Sequence, residues 1–151
     1  MVSDSLSNAS PAGIEVDSLS ANEFAVELDG ERIGGIFRVT GLTPFKLEVK
    51  PALTKQVHEP FRVSKMVQRS PNAPFNRWIH ETIAAKDDIV RPLRTLVVLA
   101  LDEGVESRRW VVSGAWISEI SYSEFDSGSS DLVEEKLTIH YESIEEQWNT
   151  A

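Results

Sequence analysis

The side chains best suited to chemistry are three histidines, His58, His80 and His140, and a scatter of carboxylates, with no cysteine among the 151 residues. The missing thiol removes disulfides, thiolate metal ligands and cysteine nucleophiles together. His80-Glu81 opens like a zinc-protease helix, but that chemistry needs a second histidine four residues on, where Ala84 stands. His140 alternates with acids along a strand, a pattern that a solvated polar face explains without any ligand. Serines are plentiful, yet none sits in a Gly-x-Ser-x-Gly elbow, and Gly128-Ser129-Ser130 reads as a turn. There is no glycine-rich phosphate loop and no calcium loop. Glu134-Glu135 and Glu145-Glu146 are adjacent pairs, and neighbours on a strand point to opposite faces, so the first cannot act as an acid–base dyad. Asp87-Asp88 falls where a helix ends, more in keeping with stopping the helix than with holding a metal. These residues assemble no catalytic, cofactor or metal site, and the chain does not read as an enzyme.

The elements that would position such residues are mostly strands. Residues 1–22 hold six serines with Pro11 and Gly13 and show no period, which predicts a flexible acidic arm. Phe24, Val26 and Leu28 then alternate with Ala25 and Glu27, and Asp29-Gly30 supplies a hairpin turn. In the return strand Ile33, Phe37 and Val39 share a face, with Gly34-Gly35 marking a bulge or bend. A third run alternates Phe45, Leu47 and Val49 with lysines and Glu48, residues 51–60 read as a loop, and 61–67 as a short strand. Ser70-Pro71-Asn72 offers a cap to one helix whose apolar stripe is Phe75, Trp78, Ile79, Thr82 and Ile83. Residues 94–101 are apolar on both faces, as in a doubly covered strand. Residues 108–122 return with Trp110, Val112, Trp116 and Ile120 on one face, which assigns both tryptophans to the core. The last strand, 132–143, sets Val133, Leu137, Ile139 and Tyr141 against Glu134, Lys136, Thr138, His140 and Glu142; only Glu135 breaks the apolar side. Residues 144–148 read as a short helix or a tail. The sum is a mainly β fold, an antiparallel barrel or sandwich of six to seven strands with one packed helix, over a single domain at 23–146 followed by a C-terminal tail at 147–151.

The formal net charge of −9 is unevenly spread. Residues 1–23 carry four acids and no base, 24–118 carry 14 bases and 11 acids, and 119–151 carry nine acids and Lys136 alone. Such a balance disfavours binding to a phosphate backbone. The longest purely apolar run, 96–101, is far short of the roughly 20 residues a membrane helix needs, and the first residues lack the basic and apolar regions of a signal peptide. The expectation is a protein made in the cytoplasm with no membrane anchor and no stable nucleic-acid partner.

Several fragments, taken in order, resemble the contractile phage tail tube proteins and their relatives in phage-like extracellular contractile injection systems. These are Phe24-Ala25-Val26-Glu27-Leu28-Asp29-Gly30; Ile36-Phe37-Arg38-Val39-Thr40-Gly41-Leu42; the helix segment Asn76-Arg77-Trp78-Ile79; Leu99-Ala100-Leu101-Asp102-Glu103-Gly104; Trp110 followed by Ala115-Trp116; and the closing strand Glu135-Lys136-Leu137-Thr138-Ile139-His140-Tyr141-Glu142. The resemblance spans roughly 23–146. The family's Lys-Arg-Gly-like segment before the helix and its terminal His-Glu-Gly are not reproduced; Ser64-Lys65-Met66 or Gln68-Arg69-Ser70 stands near the first place, and His140-Tyr141-Glu142-Ser143 at the second.

The resemblance implies a structural subunit of an inner tube. Copies would form hexameric rings by joining strands around a lumen, and the rings would stack inside a sheath on a baseplate, with possible cargo in the lumen. Assembly would begin in the bacterial cytoplasm, and the chain could serve as the main subunit or as a tube initiator near the baseplate. Within that picture Glu134, Lys136, Thr138, His140 and Glu142 are expected to face the lumen. The alternative from a different class is a monomeric β-barrel holding a small apolar ligand.

Overall fold

The computed structural model describes residues 18–148; most of the expected arm, residues 1–17, and the end of the expected tail, 149–151, lie outside the described residues. Ten strands and one helix follow in order: β1 (Phe24–Leu28), β2 (Glu31–Ile33), β3 (Ile36–Thr40), β4 (Leu47–Lys50), β5 (Leu53–Gln56), β6 (Phe61–Met66), α1 (Pro74–Ala85), β7 (Arg94–Asp102), β8 (Val105–Tyr122), β9 (Glu134–His140) and β10 (Ser143–Trp148). Every strand pairing is antiparallel.

The main sheet runs β2-β1-β7-β8-β9-β6-β3, and β10 also pairs with β8. It folds into two layers because β8 serves both. Residues 105–115 of β8 pair with β7, and 108–113 also pair with β10, whereas 116–122 pair with β9. Gly114, with φ +63°, sits where β8 changes layer. One layer is then β2-β1-β7-β8-β10 and the other β8-β9-β6-β3. One core lies between them: Val26, Leu28, Leu96, Val98 and Val112 meet Phe61, Val63, Ile117, Leu137 and Ile139. The interior that a ligand barrel would leave open is filled by these side chains.

The helix closes the core. Phe75, Trp78, Ile79 and Thr82 are buried, and the Trp78 indole N–H donates to the Pro92 carbonyl at 3.0 Å. Ile83, expected on the same stripe, is 58% exposed. The helix begins after Ala73 with Pro74 in its first turn, so Ser70 and Asn72 are not its cap.

Other expectations are corrected as well. Asp29-Gly30 turns β1 into β2 as expected, but the return strand is two strands. Gly35, at φ +86°, redirects the chain, so β2 stays beside β1 while β3 crosses to pair with β6 at the far end of the sheet. A bulge between Ile36 and Arg38 turns Phe37 out of the core face, leaving it 41% exposed. Part of the expected 51–60 loop is β5, which pairs with β4 as a separate two-stranded hairpin. The end of the chain, read as helix or tail, is strand β10 through Trp148. Its lone tryptophan finds a partner in the Arg108 guanidinium, 3.8 Å from the ring centre.

Candidate assembly surface

Four strands, β3, β6, β9 and β8, present one polar face away from the core, and alternation fixes which residues share it. On β6, Phe61 and Val63 turn inward, so Arg62, Ser64 and Met66 turn outward. Register then builds rows across the sheet. Arg38 lies beside Ser64, Ser64 beside Lys136, and Lys136 beside Ser121. In the next row Thr40 lies beside Arg62, Arg62 beside Thr138, and Thr138 beside Glu119.

The expected site residues therefore meet partners that no single strand reveals. Glu134 accepts from the Arg38 guanidinium at 3.1 Å. The Thr138 hydroxyl donates to Glu119 at 3.2 Å. Lys136 is exposed between two serines. His140 stacks on Trp116 with ring centres 4.6 Å apart, which takes Trp116 out of the core it was expected to fill. The slip occurs at Gly114: Val112 faces inward before it and Ala115 and Ile117 after it, so the even-numbered pattern does not run through to Trp116. Glu142 lies beyond the end of β9, in the connection to β10, where its amide donates to the Ser113 carbonyl at 2.9 Å. The face thus gathers Glu134, Lys136, Thr138 and His140, with Glu142 at its margin. Arg38, Arg62 and Glu119 are additions that the last strand alone could not disclose; the alternation of 61–66 was the available signal for Arg62.

The charge of this face differs from that of the chain. Three cations, Arg38, Arg62 and Lys136, stand among two carboxylates, Glu119 and Glu134, in a chain of net charge −9. Glu135, the residue that broke the apolar side of β9, points inward. It accepts from the Lys65 ammonium at 2.8 Å and from the Tyr122 hydroxyl at 2.9 Å, and both members of the ion pair are almost wholly buried. Burial and the Glu135 carboxylate together push the Tyr122 hydroxyl pKa up. On the other layer Arg109 grips Glu106 with two bonds of 2.7 and 2.8 Å, and that hydrogen bonding holds the Glu106 carboxyl below the usual range. Among the described residues there is no group of three or more His, Asp or Glu side chains placed to hold a metal.

Two edges of the polar sheet lack a strand partner among the described residues: β3, which pairs only with β6, and residues 116–122 of β8, which pair only with β9. Beside the β3 edge a groove of about 310 Å³ is lined by Phe24, Phe37, Val39, Leu42 and Val98. Beside the β8 edge stands the exposed Ile83 of the helix. The β4–β5 hairpin is exposed along its length, including Leu47, Val49 and Leu53, with Phe45 just before it. Exposed apolar groups along open edges and on a hairpin mark surfaces of interaction.

The same fold occurs in other solved structures. A chain of the sheath-tube complex of an extracellular contractile injection system, PVC, in the extended state aligns with TM-score 0.68 at 15% identity, over 87% of this chain and 93% of that one. A chain of the tube-terminating cap of the anti-feeding prophage aligns with TM-score 0.69 at 18% identity, over 90% and 95%. Hcp1 from Flavobacterium johnsoniae aligns with TM-score 0.56 at 10% identity, over 84% and 96%. No curated protein matches the sequence. At these identities the structures establish the fold alone, whereas the family model described as T4-like virus tail tube protein gp19 matches residues 20–145 of the sequence itself. By that match, which covers most of the chain, it belongs to the T4-like virus tail tube protein family.

Proposed function

We propose that this chain is the repeating subunit of an inner tube, in which the free β3 edge of one copy adds to the free 116–122 edge of the next until a ring closes. The observation that carries this reading is the pair of open edges on opposite sides of one four-stranded polar sheet. Its strands alternate in direction, so β3 and β8 run oppositely, and a copy rotated into place continues the antiparallel ladder. The interface is head-to-tail and self-repeating, which closes as a ring when the rotation permits and leaves neither edge of the polar sheet exposed. The family resemblance implies six copies. The face of Glu134, Lys136, Thr138 and His140, with Glu142 at its margin, then lines the lumen, where a hydrated mixed-charge surface lets cargo pass without adhering.

The exposed β4–β5 hairpin supplies apolar contact to a neighbouring copy, and stacked rings form the tube. A sheath around it and a baseplate beneath it are the partners expected from the complexes in which the structural relatives occur. Assembly in the cytoplasm and later incorporation in a tail or injection particle follow from the same reading. Negative-stain microscopy of the full chain across a concentration series tests it. Ring-shaped particles or hollow rods are expected; uniform monomers at every concentration, with and without a sheath–baseplate extract as nucleator, would overturn it.

A further inference from the structure

The two edges that meet in a ring carry opposite charges on the polar face. Arg38 is the cation of β3, and Glu119 is the carboxylate of the β8 edge. Glu119 is exposed, and among the described residues its hydrogen-bond partner is the uncharged Thr138 hydroxyl, with no cation within ion-pair distance. Arg38 reaches Glu134 with one nitrogen at 3.1 Å, and its side chain is still 52% exposed. A guanidinium has five N–H donors, so one such contact leaves donors for a second carboxylate.

Carrying the rows level across a seam sets Glu119 of one copy opposite Thr40 of the next, with Arg38 on the diagonal, a separation that long side chains span. Within one chain the same two residues lie on strands three steps apart, about 14 Å at the usual strand spacing, too far to pair. The complementarity is therefore useful only between copies.

We infer that Arg38 of one copy pairs with Glu119 of the next on the channel face, an ion pair that sets which edges join and in which register. This inference rests on the ring reading above. In the ring the seam joins the two charges into a chain, Glu134 to Arg38 to the neighbour's Glu119, so that the cation is shared between a carboxylate of its own copy and one of the next. Close opposite charges give specificity and suppress wrong pairings more than they add bulk affinity. The apolar groups behind the edges, Phe37 on one side and Ile83 on the other, contribute contact area without distinguishing one register from the next.

The test uses full-length Arg38→Glu and Glu119→Arg chains, each first checked for a wild-type thermal unfolding profile, with Arg38→Gln and Glu119→Gln as milder variants should a reversal fail to fold. Each reversal alone places like charges at every seam, and ring formation at low salt should be lost. A one-to-one mixture of the two folded reversed chains should restore it, because alternating copies put opposite charges at every junction and a ring of six can alternate. The double variant in one chain should also form rings. With the glutamine variants, ring formation should weaken and lose part of its salt dependence. Rings at wild-type yield from either reversed chain, or a mixture that stays unassembled while both chains are folded, would overturn the pair while leaving the ring reading intact if the wild type forms rings. A wild type that forms none would overturn both.

Discussion

Lys65 and Glu135 are charges placed where the core should be apolar, and the strand register explains how both are tolerated. They are directly cross-strand neighbours on β6 and β9, and Tyr122 from β8 adds a third group, so one hydrogen-bonded cluster ties three strands of the polar sheet. A shift of β9 by one residue would carry Glu135 to the outer face and leave Lys65 buried without its partner, a penalty that resists slippage. Lys65→Met alone should therefore cost about 3–5 kcal/mol, since Glu135 would be left buried and unpaired. The double change Lys65→Met with Glu135→Leu should recover most of that loss, to within about 1 kcal/mol of the wild type. Denaturant unfolding of the single and double variants checks it; a double variant as unstable as the single would mean that the pair itself, rather than its completeness, holds the sheet. At this scale the sequence was half legible. Glu135 stood out as an acid on an apolar face, but its partner lay seventy residues away on a strand whose place in the sheet alternation could not reveal. The same limit hid the pairing of Arg38 with Glu134.

Among the elements, β8 decides the architecture. Its 18 residues are longer than either layer needs, and the excess is used at Gly114 to move from one layer to the other. The backbone there is at φ +63°, and a Cβ would stand 2.9 Å from the Cβ of Glu142. Gly114→Ala should destabilise the chain by about 1–3 kcal/mol, through strain and displacement of the β9–β10 connection. Gly128→Ala, at a turn glycine with no close backbone neighbour and no positive φ, should change stability little. Thermal unfolding of the two variants compares them; equal stability would show that the bend does not depend on the glycine. Period-2 reading identified the strand at 24–28 and, within the longer run read as 132–143, the strand at 134–140, because each keeps one face to the core, while 94–102 was legible from its apolar residues on both faces. It misplaced Trp116 and Phe37 because a bend and a bulge shift the alternation by one residue, and neither shift has a marker in hydropathy. The hairpin strand β5 was missed for a different reason: with no face buried, it has no alternation to display.

For the whole molecule, the segregation of charge matters more than its total. The polar face carries mixed charge, whereas the acids Glu145 and Glu146 near the chain's end lie on β10 in the other layer. In the proposed tube, copies within a ring would be held by opposite edges, but successive rings would bring together chains of net charge −9. Rods should therefore lengthen as ionic strength rises from about 0.01 M to about 0.15 M, where the screening length falls from about 30 to 8 Å. Sizing rods by electron microscopy at fixed protein concentration measures this; shorter rods at higher salt would show that attraction between charged groups, and not repulsion, dominates the ring-to-ring contact.

Because β8 belongs to both layers, the wall of such a tube would not be two sheets resting on one another. A force applied to the outer layer at β7 or β10 passes through hydrogen bonds into β8 and then along its covalent backbone into the channel-lining layer. Sliding one layer over the other would require bending or breaking that strand in every copy. A tube pushed along its axis would be loaded in shear, and a shared strand would make each subunit stiff in that direction without any added bond between the layers.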